Sequence, residues 1–163
     1  MIKPAILAAL NKQIQHEQTN SHLYLAVSLY FSQLSLHGIE AFMAKQVEDE
    51  RTHAAKFIQF VHDRGGKVEL GAISAPPKDF SSPLQAVTLV RDAERATTAQ
   101  IHALFDLAKK ESDPALETLL HWYITEQVEE EQWSDELTAL MTQFHAHPGQ
   151  LFMLDHQWGK RVK

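Results

Sequence analysis

The sequence has no cysteine among its 163 residues, and this absence excludes several kinds of chemistry. Without cysteine there are no disulfide bonds, no thiolate metal ligands and no cysteine nucleophile. Any metal site in this chain therefore has to use carboxylate oxygens, imidazole nitrogens or other oxygen and nitrogen ligands.

Long apolar runs and an excess of positive charge are also missing. No stretch approaches the roughly 20 apolar residues of a membrane-spanning helix, and residues 4–10 are too short an apolar run for a secretory signal. The formal net charge of −6 disfavours nucleic acid as a partner and suits cations better. We expect a cytoplasmic protein with neither a membrane nor a nucleic-acid partner, and the length suits one domain, residues 1–163.

Apolar residues recur with the 3.6-residue period of an α-helix over four long segments. Proline at first helical positions and glycine or proline at the breaks mark where these segments begin and end. A short amphipathic segment follows the fourth. The predicted helices cover about residues 4–36, 38–64, 83–111, 114–145 and 149–159.

The lengths of the connections predict how the helices are arranged. The first and third connections are short, so each joins two antiparallel neighbours. The second has roughly 17 residues and reaches about 50 Å when extended, enough to cross a bundle of about 40–45 Å. The predicted fold class is all-α, a four-helix bundle with one long crossover loop and a short C-terminal fifth helix. A plain up-down bundle would not need so long a connection.

Each long helix carries an apolar stripe at helical spacing whose middle is polar. Because neighbouring helices are antiparallel and similar in length, the polar middles should meet at one level. The residues at this level are Glu17, Glu50, His53, Glu94, Gln127 and Glu130. The predicted stripe of the third helix consists of Leu84, Val87, Arg91, Glu94, Thr98, Ile101, Phe105 and Ala108.

Carboxylates that point into a core are costly unless positive charge lies between them. Glu50-x-x-His53 places a carboxylate and an imidazole on one helix face, but such a pair alone is common by chance. Four stripes interrupted at the same depth are much harder to obtain by chance. Two divalent ions would neutralise the four glutamates, and the ligand set suits iron or manganese, or zinc.

With these residues in place, the chain resembles the bacterial non-haem ferritins along essentially its whole length. The most specific part is residues 122–131, Trp-Tyr-Ile-Thr-Glu-Gln-Val-Glu-Glu-Glu. The resemblance implies a ferritin-like domain with ferroxidase activity and iron as its metal. Two Fe(II) ions would bind in each bundle, O2 or peroxide would oxidise them, and ferric mineral would collect inside a hollow homo-oligomeric shell of 24 subunits for iron storage.

The resemblance also implies the roles of residues on the first two helices. Glu17 and His53 would hold the first iron, and Glu50 would bridge both irons. Tyr24 would be hydrogen-bonded near this bridge and is a candidate electron donor; its other interpretation is an ordinary core tyrosine.

The third and fourth helices would complete the site. Glu94 and Glu130 would hold the second iron, with Gln127 beside it. Di-iron bundles that keep their metal as a cofactor use two Glu-x-x-His motifs, whereas the fourth helix here offers Gln127-x-x-Glu130. We infer that the second iron is held loosely because it is a substrate that leaves after oxidation.

Bacterial ferritins tend to have a third iron site made of acids on the inner surface. Asp49, Glu126 and Glu129 match those positions, although Asp49 is one methylene shorter than the usual glutamate, so this site is expected to be weaker or displaced. A solvated acidic face is the other interpretation. Haem-binding relatives place methionine directly after the Glu of Glu-x-x-His; here that residue is Arg51, so no haem is expected.

Three alternatives remain open from the sequence. A mini-ferritin that detoxifies iron builds its site between subunits and usually lacks the fifth helix. A di-iron oxidase generally carries two Glu-x-x-His motifs and a substrate pocket. A purely structural bundle would bind no metal, and an anaerobic Fe(II) titration separates it from the others.

Overall fold

The computed structural model describes residues 2–162, which form five α-helices and a final turn of 3-10 helix. The prediction of an all-α bundle with one long crossover and a short fifth helix is confirmed. The helices are α1 (Pro4–Gln33), α2 (His37–Asp63), α3 (Pro83–Lys110), α4 (Pro114–Phe144) and α5 (Pro148–Gly159), and the 3-10 turn is Lys160–Val162. Among these described helices none is long and apolar enough to cross a membrane.

The first helix is shorter than the sequence pattern indicates, ending at Gln33 rather than near Leu36. Ser35 takes a left-handed backbone conformation, with φ of 58°. This conformation turns the chain so that the Leu36 N–H donates to the Phe31 carbonyl at 3.0 Å, which closes the helix end. The apolar pattern continues past the turn because Leu36 is itself buried.

Side chains satisfy the first free N–H groups of several helices, as helix ends require. Ser82 accepts from the Gln85 N–H, and Asp113 accepts from the Leu116 N–H, both at 3.1 Å. Arg64, just after α2, donates to both carboxylate oxygens of Asp113 at 2.8 and 2.7 Å. This pair joins the end of α2 to the start of α4.

The start of α2 is capped by a residue from the opposite end of the chain. The Ile39 N–H donates to Oδ1 of Asp155 on α5, at 2.8 Å. Gly38 allows this approach, since a Cβ there would lie 1.9 Å from the Asp155 carbonyl oxygen. Through this cap, α5 is fixed against α2.

The crossover, residues 64–82, runs along α1. Asn11 accepts from the Glu69 N–H at 3.0 Å, and Gln15 donates to the Ala72 carbonyl at 2.5 Å. Further on, Phe80 contacts the ring of Tyr30, with centroids 5.1 Å apart. From Asn11 to Tyr30 the crossover therefore follows roughly 28 Å of helix.

The apolar core consists of two separate clusters. One is built around Tyr24, Phe31, Phe42 and Trp158, and the other around residues of the opposite helix ends such as Phe57. The polar middles of the helices lie between these two clusters. The fold thus places a layer of acids and amides inside the bundle.

Candidate metal centre

Side chains of α1 and α2 form a compact group of possible metal ligands. One ligand atom from each of Glu17, Glu50 and His53 lies within 4.8 Å of the other two, and all three residues are buried. Nδ1 of His53 is 3.6 Å from Oε2 of Glu50. The sequence prediction that these three residues converge agrees with this geometry.

Two carboxylate oxygens in this group lack a hydrogen-bond partner. Gln13, one turn before Glu17, donates to its Oε1 at 2.8 Å. Oε2 of Glu17 and Oε2 of Glu50 are buried, and within residues 2–162 no donor reaches them. Buried acceptors without a partner are costly, and a cation between these two oxygens would satisfy both. The residues therefore fit a bound divalent metal.

Glu94 enters the site from α3 and is hydrogen-bonded on both oxygens. The Tyr24 hydroxyl donates to Oε1 at 2.5 Å, and the Gln127 amide donates to Oε2 at 3.2 Å. The same amide nitrogen is 3.2 Å from the Thr98 hydroxyl. The acceptor of the Tyr24 hydroxyl is thus Glu94, a proposed terminal ligand.

Glu130 enters from α4 and belongs to a second group with His53 and Glu126. One ligand atom from each of these three lies within 4.8 Å of the others. Nε2 of His53 is 3.9 Å from Oε1 of Glu126, while Nδ1 faces Glu50. The imidazole therefore stands between two carboxylate groups, one toward each ring nitrogen.

Burial and mutual repulsion make the charged carboxylates costly. Burial first, and then the charges of Glu17 and Glu94, raise the pKa of Glu50 well above its ordinary value. Burial and the charge of Glu94 do the same to the pKa of Glu130. Burial raises the pKa of Glu94 to about 7, against the lowering effect of its hydrogen bonds from Tyr24 and Gln127. A divalent ion would take the place of the protons that these groups otherwise hold.

The three acids predicted to form a third site differ in their burial and in their partners. Asp49 is ion-paired with Lys45, one turn earlier on α2. Glu126 is half-buried, and burial followed by the charges of Glu129 and Asp49 raises its pKa. Glu129 is exposed. In the described part of the chain, Glu126 falls into a ligand group with His53 and Glu130 but not with Asp49 and Glu129.

One side chain in contact with the site was missed by the sequence reasoning. Trp133 donates its indole N–H to Oε2 of Glu130, and both residues are buried. A signal was present, because Trp133 follows Glu130 by three residues and so shares its helix face. An indole is not a metal ligand, so a pattern of ligand residue types does not indicate it.

Comparison with known protein families identifies the family to which this chain belongs. A family model described as the ferritin-like domain matches residues 7–144. The chain belongs to the ferritin family. The predicted resemblance to bacterial non-haem ferritins is confirmed, because such proteins align with this chain over nearly their whole length.

Two curated relatives illustrate this similarity. The bacterial non-heme ferritin of Staphylococcus aureus (strain USA300) is 32% identical over 162 residues, which is 99% of this chain and 98% of that protein. The bacterial non-heme ferritin of Staphylococcus epidermidis is 31% identical over 161 residues, 99% of this chain and 97% of that protein. The shared region includes α5, which lies beyond the family model.

Solved ferritin structures have the same fold. The novel open pore ferritin from the hyperthermophilic archaeon Archaeoglobus fulgidus superposes with a TM-score of 0.94 at 35% identity, covering 98% of each chain. A humanized archaeal ferritin gives a TM-score of 0.94 at 34% identity, covering 98% of this chain and 96% of that one. This ferritin therefore shares both its helices and its crossover with known members of the family.

Proposed function

We propose that this ferritin is a ferroxidase that oxidises Fe(II) with O2 inside each bundle and stores the ferric product as mineral. The observation that carries the proposal is the buried group of Glu17, Glu50 and His53, in which two carboxylate oxygens have no hydrogen-bond partner among the residues that the structure describes. Membership of the ferritin family gives this group its most direct interpretation as an iron site.

The two irons would divide the ligands between the two helix pairs. Glu17 and His53 hold the first iron. Glu50, whose Oε2 has no hydrogen-bond partner in the described part of the chain, bridges to the second. Glu94 and Glu130 hold the second iron. Carboxylates with one imidazole are the ligand set expected for a hard, oxidisable ion such as Fe(II).

Gln127 and Tyr24 act on the second iron through Glu94. Each donates a hydrogen bond to one oxygen of that carboxylate, which fixes its orientation. In this proposal the carbonyl oxygen of Gln127, which none of the hydrogen bonds made by its amide nitrogen uses, is a ligand of the second iron. Tyr24 is close enough to the ligand shell to serve as an electron donor during oxidation.

The reaction treats iron as a substrate. Two Fe(II) ions give up one electron each, and O2 takes both electrons with two protons to become H2O2. Because only one imidazole is present and the carboxylates are already costly when charged, the ferric ions are free to leave for the mineral. Asp49, Glu126 and Glu129 form a weaker third site on this path.

Anaerobic titration with Fe(II) tests the dinuclear site. We expect saturation near two Fe(II) per chain, or three if the weaker third site also fills. Glu50→Gln keeps the shape of the bridge but removes its charge, so tight binding should fall about 10–100-fold. Admission of O2 should then produce ferric absorbance and a growing core in the unsubstituted protein.

The matched control is Glu48→Gln, which removes an exposed acid two residues away on α2. This variant should titrate like the unsubstituted protein. If Glu50→Gln and Glu48→Gln bind Fe(II) equally well, the proposed site is wrong. If the unsubstituted protein binds no Fe(II), the bundle is purely structural.

We further propose that the chain assembles into a hollow shell of 24 subunits, as the family implies. Phe152 and Met153 on α5 support self-association, since both are large, apolar and exposed in the isolated chain. A mini-ferritin is less well supported, because the ligand group lies within one bundle and α5 is present.

A further inference from the structure

The hydrogen bond from Trp133 to Glu130 places an indole directly behind a proposed iron ligand. The Trp133 Nε1–H donates to Oε2 of Glu130, and the two residues are only 9% and 5% exposed. A donor held against a buried carboxylate oxygen forms a charge-assisted bond, which is stronger and more directional than a neutral one.

The indole is held in place by residues of two other helices. Its ring meets Phe42 of α2 edge to face, with centroids 5.0 Å apart and planes at 73°. Phe42 in turn meets Trp158 of α5 edge to face at 5.7 Å. Arg161 lies over the Trp158 ring at 3.9 Å and is paired with Glu136 of α4. Trp133 therefore has little freedom to turn away from Glu130.

The hydrogen bond leaves one oxygen of Glu130 for the metal. Oε2 accepts the indole N–H, so Oε1 is the oxygen of Glu130 that this donor leaves free for the second iron. Because the donor occupies a lone pair of Oε2, binding of a metal ion through Oε1 alone is favoured over binding through both oxygens. Donors to ligating groups of this kind typically set both geometry and affinity.

We propose that Trp133 is a positioning residue that fixes Glu130 as a one-oxygen ligand of the second iron. The inference rests on the proposed dinuclear site and adds to it the reason why Glu130 binds in a defined way.

Titration of the metal-free protein with Co(II) tests the proposal, because Co(II) resists oxidation and its visible absorption reports its coordination. Trp133→Phe keeps an aromatic ring but removes the N–H. We expect the affinity of one of the two Co(II) sites to fall about 10–100-fold, while the other keeps its affinity. The visible bands of the affected site should weaken, since a two-oxygen Glu130 raises the coordination number.

Trp158→Phe is the matched control, because it changes an indole of the same aromatic stack that does not contact Glu130. This variant should keep both Co(II) affinities and the visible spectrum. Phe42→Leu keeps the donor but removes its support, so it should show a smaller loss at the same site. If Trp133→Phe does not fold, the Phe42→Leu variant tests the positioning role of Trp133 in its place.

The outcomes separate this proposal from the proposed function. If the unsubstituted protein binds no Co(II) and no Fe(II), the dinuclear site itself fails, and the role of Trp133 fails with it. If two Co(II) bind but Trp133→Phe leaves both affinities and the spectrum unchanged, only the positioning role is overturned. Equal losses in Trp133→Phe and Trp158→Phe would also overturn it, because they would indicate general loosening of the core.

Discussion

Glu94 shows, at the scale of one residue, how burial competes with hydrogen bonding in the metal centre. Tyr24 and Gln127 both donate to it, and both favour its charged form. Burial has the larger effect and raises the pKa of Glu94 to about 7. Near neutral pH this carboxyl is therefore poised to exchange its proton for a metal ion.

This raised pKa predicts how the stability of the metal-free protein depends on pH. Between an ordinary pKa of 4.5 and about 7, folded Glu94 holds a proton that the unfolded chain releases. The free energy of unfolding should therefore fall as pH rises through this window, by roughly 3 kcal/mol from this group. Below this window Glu94 is protonated in the folded protein as well as in the unfolded chain and does not lower the free energy of unfolding. Above it, Glu94 is charged in both states and lowers the free energy of unfolding by the full amount.

Urea unfolding of metal-free Glu94→Gln and of the unsubstituted protein measures this contribution. The variant carries no charge at this position, so its advantage in free energy of unfolding should grow as pH rises. Glu50 and Glu130 act in the same direction in both proteins. A difference between the two proteins that stays constant over this range would contradict the assignment.

The pair Gln127 and Glu130 determines whether iron passes through or stays. Replacing Gln127→Glu together with Glu130→His gives α4 a Glu-x-x-His motif like that of α2. The second imidazole should hold ferric iron more firmly and slow its release to the mineral about tenfold or more. Stopped-flow absorbance after repeated Fe(II) additions measures this release as recovery of oxidation capacity.

The control for that exchange is Thr125→Glu with Val128→His, which has the same spacing on the exposed side of α4. It should recover like the unsubstituted protein. Unchanged recovery in the first variant would argue that the missing imidazole is not what lets iron leave.

The convergence of Glu17, Glu50 and His53 could be predicted from the sequence because they interrupt apolar stripes at one depth. The hydrogen-bond donors around them could not, since the pattern does not say which helix face each donor reaches. Tyr24 was expected to be hydrogen-bonded near the bridge, but the pattern did not indicate that Glu94 is its acceptor. Nor does the pattern indicate that His16 is half-buried, with a ring nitrogen 2.9 Å from the Thr97 hydroxyl.

At the scale of helices, α3 shows where period counting fails. The predicted stripe passes through Arg91, Thr98 and Phe105, which are all only partly buried. Val90, Thr97 and Leu104 are buried instead. The helix is rotated by about one residue at these points, because its neighbours α1 and α4 lie on two sides and a single stripe cannot describe both contacts.

The cap that Asp155 provides to α2 predicts a measurable contribution to stability. Asp155→Ala removes the acceptor for the Ile39 N–H and should lower the free energy of unfolding by about 0.5–2 kcal/mol. Thermal unfolding of the metal-free protein measures this loss. Asp106→Ala on the exposed face of α3 is the control, and an equal effect of both changes would show that the cap contributes nothing specific.

For the whole molecule, the crossover and the polar layer follow from the same sequence pattern. The long connection was predicted from its length alone, and the layer from the depth of the acids in each stripe. The docking of α5 could not be predicted, since it depends on the close approach of Gly38 to Asp155. No periodic pattern records a contact between residues so far apart in the chain.

The proposed shell gives a direct prediction at this scale. Native mass spectrometry should find particles of about 440 kDa, which is 24 times the chain mass of 18.5 kDa. Exposed apolar residues on α5, such as Phe152 and Met153, should become protected from solvent in that particle. A particle half that size would contradict the 24-subunit shell and favour a mini-ferritin type of assembly.

The cap on α2 has a consequence for how the protein is made. Its donor, Ile39, and its acceptor, Asp155, are 116 positions apart, so a ribosome releases α2 long before the residue that completes it. Until α5 has been made, the Ile39 N–H lacks this acceptor and the Phe42 ring lacks its contact with Trp158. Chains cut short before α5 would therefore have an uncapped start of α2 and an incomplete aromatic cluster.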